Sequence, residues 1–229
     1  MSHSTYLLLS IMVDEPNRLN NLRCYLAGPI DHADDDGIGW RTEMTEFLSE
    51  HGVVVLDPCD KPVKDSYFKE IGNEKEKMMN LKETGRYFEL TQRMKEIVHM
   101  DLRMVDISDF VIVYLDFNQR PFGTIHELLN SLHQRKPTLV VIEGGRSNAS
   151  NWLFGIMNYE FMFDDFESLQ TWITQIDDGT IEGDLSRWVF MDVSAPDGKA
   201  KMTTKSKGRK RRVDSDPDID ALAKESNVD

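Results

Sequence analysis

Residues 110–132 read FVIVYLDFNQRPFGTIHELLNSL. The first six, Phe110 to Leu115, form an unbroken apolar run of the length of a strand buried on both faces. A polar link through Asp116 and Pro121 follows, and then apolar residues fall at Ile125, Leu128, Leu129 and Leu132, the spacing of a helix. A buried strand feeding an amphipathic helix is the repeating unit of a parallel sheet covered by helices.

The same unit recurs on either side. Cys24 to Ala27 and Val53 to Leu56 predict strands, closed by Gly28-Pro29 and Asp57-Pro58, and Thr138 to Ile142 predicts a fourth. Trp40 to His51 reads as a helix with apolar residues at Trp40, Met44, Phe47 and Leu48. After the loop Glu143-Gly144-Gly145, Trp152 to Met157 is a short apolar segment. Phe161 to Phe163 is a strand candidate, Phe166 to Ile176 a helix, and Arg187 to Val193 an edge strand. From Val63 to Val105 the chain is charged and helix-prone, longer than a crossover needs, so a helical hairpin or lid is expected over about 63–95. The fold class is therefore α/β, a parallel sheet with flanking helices and a helical insertion. The expected organisation is an N-terminal extension over 1–21, a domain over 22–195 and a disordered tail over 196–229.

Composition narrows the function. No apolar run approaches the roughly 18 residues of a membrane span, the longest being Tyr6 to Val13, and no basic segment precedes it as in a secretory signal. The expected location is the cytoplasm. Cys24 and Cys59, without CxxC spacing, exclude a disulfide framework and suggest buried thiols. Lys199 to Arg212 carries eight Lys or Arg and no acid, and removing those eight from the formal charge of −13 leaves −21 on the remainder. A body so acidic repels a phosphate backbone and suits a small substrate held in a local pocket. The basic run reads first as a solvated tail, with docking to nucleic acid as its alternative.

Open parallel sheets bind ligands beyond the carboxyl ends of their strands, so the loops after Ala27, Leu56, Leu115 and Ile142 should converge. Glu127 falls in the first turn of the predicted helix, where the dipole favours the ionised form that a carboxylate nucleophile needs. Thr124-x-x-Glu127 is equally a capping box. His126 reads as a surface residue before it reads as a base. Asp101 lies on the apolar stripe of Met94, Ile97, Val98, Met104 and Val105. There burial would raise its pKa and suit a general acid, or it caps a turn or pairs with Arg103. Asp106 and Asp109 read as turn and cap residues. Gly28 and Pro29 can bring backbone close to a ligand. Arg41 could meet a 5′-phosphate or pair at the surface with Glu43 or Glu46, and the acidic loop Asp31, Asp34, Asp35 and Asp36 lacks a regular metal-binding spacing and reads as solvated.

Taken in order, Tyr25-Leu-Ala-Gly-Pro-Ile30, the stretch from His99 through Asp101 to Asp109, and Gly123-Thr-Ile-His-Glu127 resemble the nucleoside 2-deoxyribosyltransferase family over about residues 22–175. That family includes deoxynucleoside monophosphate N-glycosidases. The resemblance implies a flavodoxin-like fold in which Glu127 attacks the anomeric carbon, Asp101 contacts the sugar or moves the proton, and Tyr25 orients the nucleophile. It further implies a substrate site including Gly28, Pro29, Gly123 and Thr124, no metal or organic cofactor, and a homodimer or higher homo-oligomer. Where the family has an aspartate six positions before its glutamate for base recognition, this chain has Pro121, with Asp116 the nearest substitute. Leu128 and Leu129 stand where glycine commonly follows the glutamate. Arg41 and the loop Ser147 to Asn151 are candidate phosphate contacts, the loop for a neighbouring subunit. The alternatives in other classes are a nucleotide-binding module without turnover and a scaffold that docks nucleic acid through its tail. A pocket shared by Glu127 and Asp101 would argue for an enzyme.

Overall fold

The computed structural model describes residues 17–30, 33, 35–61 and 71–181. The expected edge strand at Arg187 to Val193, the basic tail and most of the N-terminal extension lie outside the described residues.

Five strands, β1 Arg23–Ala27, β2 Val54–Leu56, β3 Phe110–Leu115, β4 Thr138–Ile142 and β5 Met162–Phe163, form one sheet in the order β2-β1-β3-β4-β5. Every neighbouring pair is parallel. This is the flavodoxin-like order, whose direction of winding reverses between β1 and β3 and so opens a crevice at their carboxyl ends. The helices are α1 Ile38–Glu50, α2 Asn73–Glu83, α3 Tyr87–Ile107, α4 Phe122–His133, α5 Asn151–Ile156 and α6 Phe166–Asp177. Among them none is long and apolar enough to cross a membrane.

Strand side chains alternate between the two faces, and so does the core. Cys24 and Leu26 of β1 pack with Phe110, Ile112, Leu139 and Val141 against Met44 and Leu48 of α1 and Leu169, Ile173 and Ile176 of α6. Tyr25 and Ala27 point the other way, into a cluster with Val111, Val113 and Leu115, Met104 and Val105 of α3, and Leu128 of α4. This alternation puts Tyr25 on the face that carries both Glu127 and Asp101.

Three local expectations change. The first helix begins at Ile38, two residues early, because Gly37 turns the chain with φ +70°, a conformation that favours glycine. The strand expected over 161–163 narrows to Met162–Phe163, since Tyr159–Phe161 closes into a 3-10 turn capped by Asn158. The apolar segment at 152–157 is helix α5, capped by Ser150. In the insertion, α2 packs on the amino-terminal part of α3 and is tied to it by Arg93 Nη1 to Glu74 Oε2 at 2.8 Å. α3 then runs on without a break into the crossover, so insertion and crossover share one 21-residue helix.

Candidate active site

The carboxyl ends of β1 and β3, the amino end of α4 and the middle of α3 enclose a cavity of about 470 Å³, within the range that holds a small organic ligand. Gly28, Pro29, Asp101, Gly123, Thr124 and Glu127 line it. Met94, Val98 and Leu102 of α3 supply an apolar wall, and Gln119, Arg120 and His126 add polar groups that the sequence reading had not placed there.

Helix α4 starts at Phe122 with Pro121 as its N-cap and no side-chain cap hydrogen bond. Proline at that position sets the helix going two residues before Thr124. Glu127 consequently lies in the second turn, and neither the first-turn placement nor the capping box holds. What Glu127 does instead is accept a hydrogen bond from Tyr25: Oη to Oε1 is 2.5 Å, at the short end of the range for a hydroxyl donating to a carboxylate. Tyr25 is fully buried beneath it. Burial, followed by the negative charges of Glu127 and Asp101, pushes the phenol pKa well above its ordinary value, with Arg41 opposing. The phenol therefore stays neutral and remains a donor.

Asp101 is buried on α3 and ion-paired with Lys61, Nζ to Oδ1 being 2.7 Å. The pairing with Arg103 and the turn-cap alternative are both replaced by this contact. Burial raises the Asp101 carboxyl pKa, and the charge and hydrogen bond of Lys61, with a further contribution from Arg41, hold the rise back without cancelling it. Lys61 was missed in the sequence reading. The available signal was its place in the loop after β2, one of the four loops due to converge.

Two glycines differ in what requires them. A Cβ on Gly28 would come within 2.5 Å of the Trp40 ring, so protein packing excludes a side chain there. At Gly123 nothing lies within 4 Å, which leaves its backbone open to the cavity.

Arg41, Asp116 and Asn151 lie off the cavity wall. Arg41 is neither a surface residue nor directed at a ligand, because its guanidinium is buried among carbonyls. It donates to the oxygens of Gly37 at 2.8 Å, Gly28 at 2.8 Å and Pro29 at 3.3 Å, and sits 3.6 Å from Asp57. Its role is to hold the Gly28-Pro29 loop against α1. Asp116 is buried and turned back to cap a 3-10 turn, Oδ1 accepting from Asn118 N at 2.9 Å and Nδ2 at 3.1 Å. Gln119 ends that turn at the cavity wall, and its Oε1 is buried with no hydrogen-bond partner among the described residues. Asn151 is exposed at the start of α5, beside Trp152, which is 77% exposed.

Asp35 accepts from the N–H groups of Gly39 at 2.8 Å and Gly37 at 2.9 Å, and those bonds hold its pKa below the usual carboxylate range. Asp36 pairs with Lys75. Asp31 and Asp34 lie outside the described residues, and among the described residues no group of three or more His, Cys, Asp or Glu could hold a metal ion.

No protein-family profile matches the chain, and no curated protein does. Among solved structures it is similar to a 2-deoxyribosyltransferase from Bacillus psychrosaccharolyticus, at 16% identity and TM-score 0.45 over 65% of this chain and 90% of that one. It is also similar to a 2-deoxyribosyltransferase from Leishmania mexicana, at 19% identity and TM-score 0.40 over 67% of this chain and 97% of that one.

Proposed function

We propose that the protein is an enzyme that breaks, and with a second base re-forms, the N-glycosidic bond of a 2-deoxynucleoside or its 5′-monophosphate through a covalent glycosyl ester of Glu127. The observation that carries the reading is the buried Tyr25 phenol donating at 2.5 Å to Glu127 in the wall of a cavity that also contains Asp101. A module that only binds nucleotides needs no such pairing of carboxyl groups.

The chemistry follows from charge. Glu127, as a carboxylate, gives an electron pair to the anomeric carbon while the C1′–N bond breaks and its pair leaves with the base. Protonated Asp101 supplies the proton that the departing base takes up, a role suited to a carboxyl whose pKa burial has raised. The Tyr25 hydrogen bond orients the nucleophile and disperses its charge, which matters again when the ester is broken and the carboxylate returns. A nitrogen of a second base, or water, then attacks the same carbon, Asp101 takes back the proton, and two inversions retain configuration. The open backbone of Gly123 and the Gly28-Pro29 loop bracket the sugar, and Arg120 at the cavity wall is the cation that a 5′-phosphate would meet. Exposed Trp152, with Phe154 and Tyr159, suits a contact between subunits that would bring Asn151 to a neighbour's site.

The test is mass spectrometry on a mixed nucleoside and 5′-monophosphate panel, with and without free acceptor base, and on protein treated with 2-deoxy-2-fluoro-arabinonucleosides, whose glycosyl esters turn over slowly. The expected result is base exchange or release, with a sugar adduct on the peptide bearing Glu127. Turnover with an adduct elsewhere, or turnover undiminished in Glu127→Ala, would sink the assignment.

A further inference from the structure

Lys61, paired with Asp101 of the cavity wall, has no task in the chemistry above. Its side chain is 0% exposed, and an ammonium removed from water is costly unless an opposite charge meets it. Among the described residues, Asp101 supplies such a charge, at 2.7 Å. The groups that face this pair come from separate elements: Arg41 from α1, Tyr25 from β1 with Glu127 of α4 beyond it, and Asp57 from the loop after β2, paired with Arg41. Around Asp101 on its own helix stand only Ile97, Val98, Met104 and Val105 on the inward stripe, so no cation of α3 shares the task.

We propose that Lys61 is a positioning residue that governs proton delivery by Asp101. The inference rests on the reading of Asp101 as the proton donor. When Asp101 gives its proton to the departing base it becomes a carboxylate in a site that burial makes hostile to charge. Lys61 stands beside that new charge, its Nζ 2.7 Å from Oδ1, and stabilises the product of the transfer more than the protonated carboxyl that precedes it. The bond made is base N–H, the bond broken is the Asp101 O–H, and the ammonium neither gains nor loses a proton. Lys61 also selects the side-chain rotamer of Asp101, since its own position is fixed by complete burial. Without the ammonium, Asp101 would keep its proton to higher pH and deliver it less readily.

The experiment compares Lys61→Met, Lys61→Gln and Lys61→Arg in the full chain, beside Asp101→Asn. Two readouts are taken: the pH titration of the Asp101 carboxyl by ¹³C NMR, and kcat/KM against pH for 2′-deoxyadenosine, 2′-deoxycytidine, their 5′-monophosphates and 7-methyl-2′-deoxyguanosine, whose cationic base leaves without a proton. In Lys61→Met the Asp101 midpoint should rise by about one pH unit or more, the effect of losing one close opposite charge, with the alkaline limb of the rate moving up alongside it. On the acid plateau, where Asp101 is protonated in both proteins, the natural bases should be released several-fold to about 10-fold more slowly, part of the roughly 10²- to 10⁴-fold that a general acid supplies, while 7-methyl-2′-deoxyguanosine changes less than about threefold. Lys61→Arg, which keeps the charge, should restore most of the rate and the limb. Lys61→Gln serves if Lys61→Met does not fold, and should shift the limb in the same direction. An unmoved midpoint and limb, beside an Asp101→Asn variant that still discriminates between leaving groups, would overturn the inference alone. An Asp101→Asn variant that slows both leaving-group classes equally would overturn the proton-donor assignment and this inference with it.

Discussion

The two ends of the sheet use the same ion-pair chemistry in opposite surroundings. At the amino ends of β1 and β3, Arg23 holds Asp109 through Nε and Nη2, both at 3.1 Å, with side chains that are 45% and 28% exposed. Nearby, Lys136 donates to the carbonyls of Val105, Asp106 and Ser108, closing the carboxyl end of α3 with a cation. At the carboxyl ends, Arg41 and Lys61 are buried, and the acids facing them, Asp57 and Asp101, have raised rather than lowered pKa values. Solvent-exposed pairs add little to stability and tolerate loss, whereas buried ones fix geometry and are costly to break. Ordinary surface charge thus finishes one end of the molecule, and the other holds charge under conditions that can drive chemistry.

The strongest way to break this contrast is Glu127→Ala. We expect turnover to vanish while the fold persists, since removing the acceptor of one buried phenol costs about 1 to 3 kcal/mol. Circular dichroism beside the base-release assay checks both halves. Asp101→Asn comes next, with a loss of about 10²- to 10⁴-fold on natural bases and little on activated ones. It carries a pH signature too. Because the folded state holds the Asp101 proton more tightly than the unfolded state does, this group's contribution is fully present below the ordinary carboxylate pKa and is lost as pH rises through the raised folded value. Urea denaturation across that window should show the downward slope in the wild type and its loss in Asp101→Asn.

Arg41→Met should lower stability by about 3 to 5 kcal/mol, because it strands Asp57 and three loop carbonyls together. A denaturation midpoint close to that of the wild type would mean that the Gly28-Pro29 loop is held by other contacts. Arg23→Gln should matter far less, and its effect should fade with added salt. Its pH signature has the opposite sign. Burial works upward on Asp109, but the hydrogen bonds and charge of Arg23 outweigh it and leave the pKa lowered. That stability is therefore present above the ordinary carboxylate pKa and lost as pH falls through the lower folded value. Smallest of all should be truncation after Ala195, since the patterned strands and helices precede it. An unchanged dichroism spectrum and melting temperature would support a domain ending there.

β3 and β4 were legible to the residue, because an unbroken apolar run between turn residues has few other solutions in a parallel sheet. Helix starts were less so: Gly37 and Pro121 each begin a helix earlier than the apolar spacing suggests, through backbone conformation that periodicity does not record. Among the candidate site residues, Asp101 could be picked out as a carboxylate on an apolar helical stripe, and Glu127 by its place near the start of the helix after β3 and by the family resemblance, although the structure moves it from the first turn to the second. Arg41 could not be read correctly. A basic residue after an acidic loop looks like surface, and only the folding of Gly28, Pro29 and Gly37 around it supplies enough carbonyls to bury a guanidinium.

The sequence by itself determined the alternation of buried strands and amphipathic helices, hence the α/β class and the end of the sheet at which to look, because hydrophobic burial depends on local periodicity. Which charges meet there was decided only by the tertiary structure. Tyr25 reaches Glu127 across 102 positions of chain. Lys61 reaches Asp101 of α3 from the loop after β2, and the strength of both contacts comes from a burial that no single segment can produce.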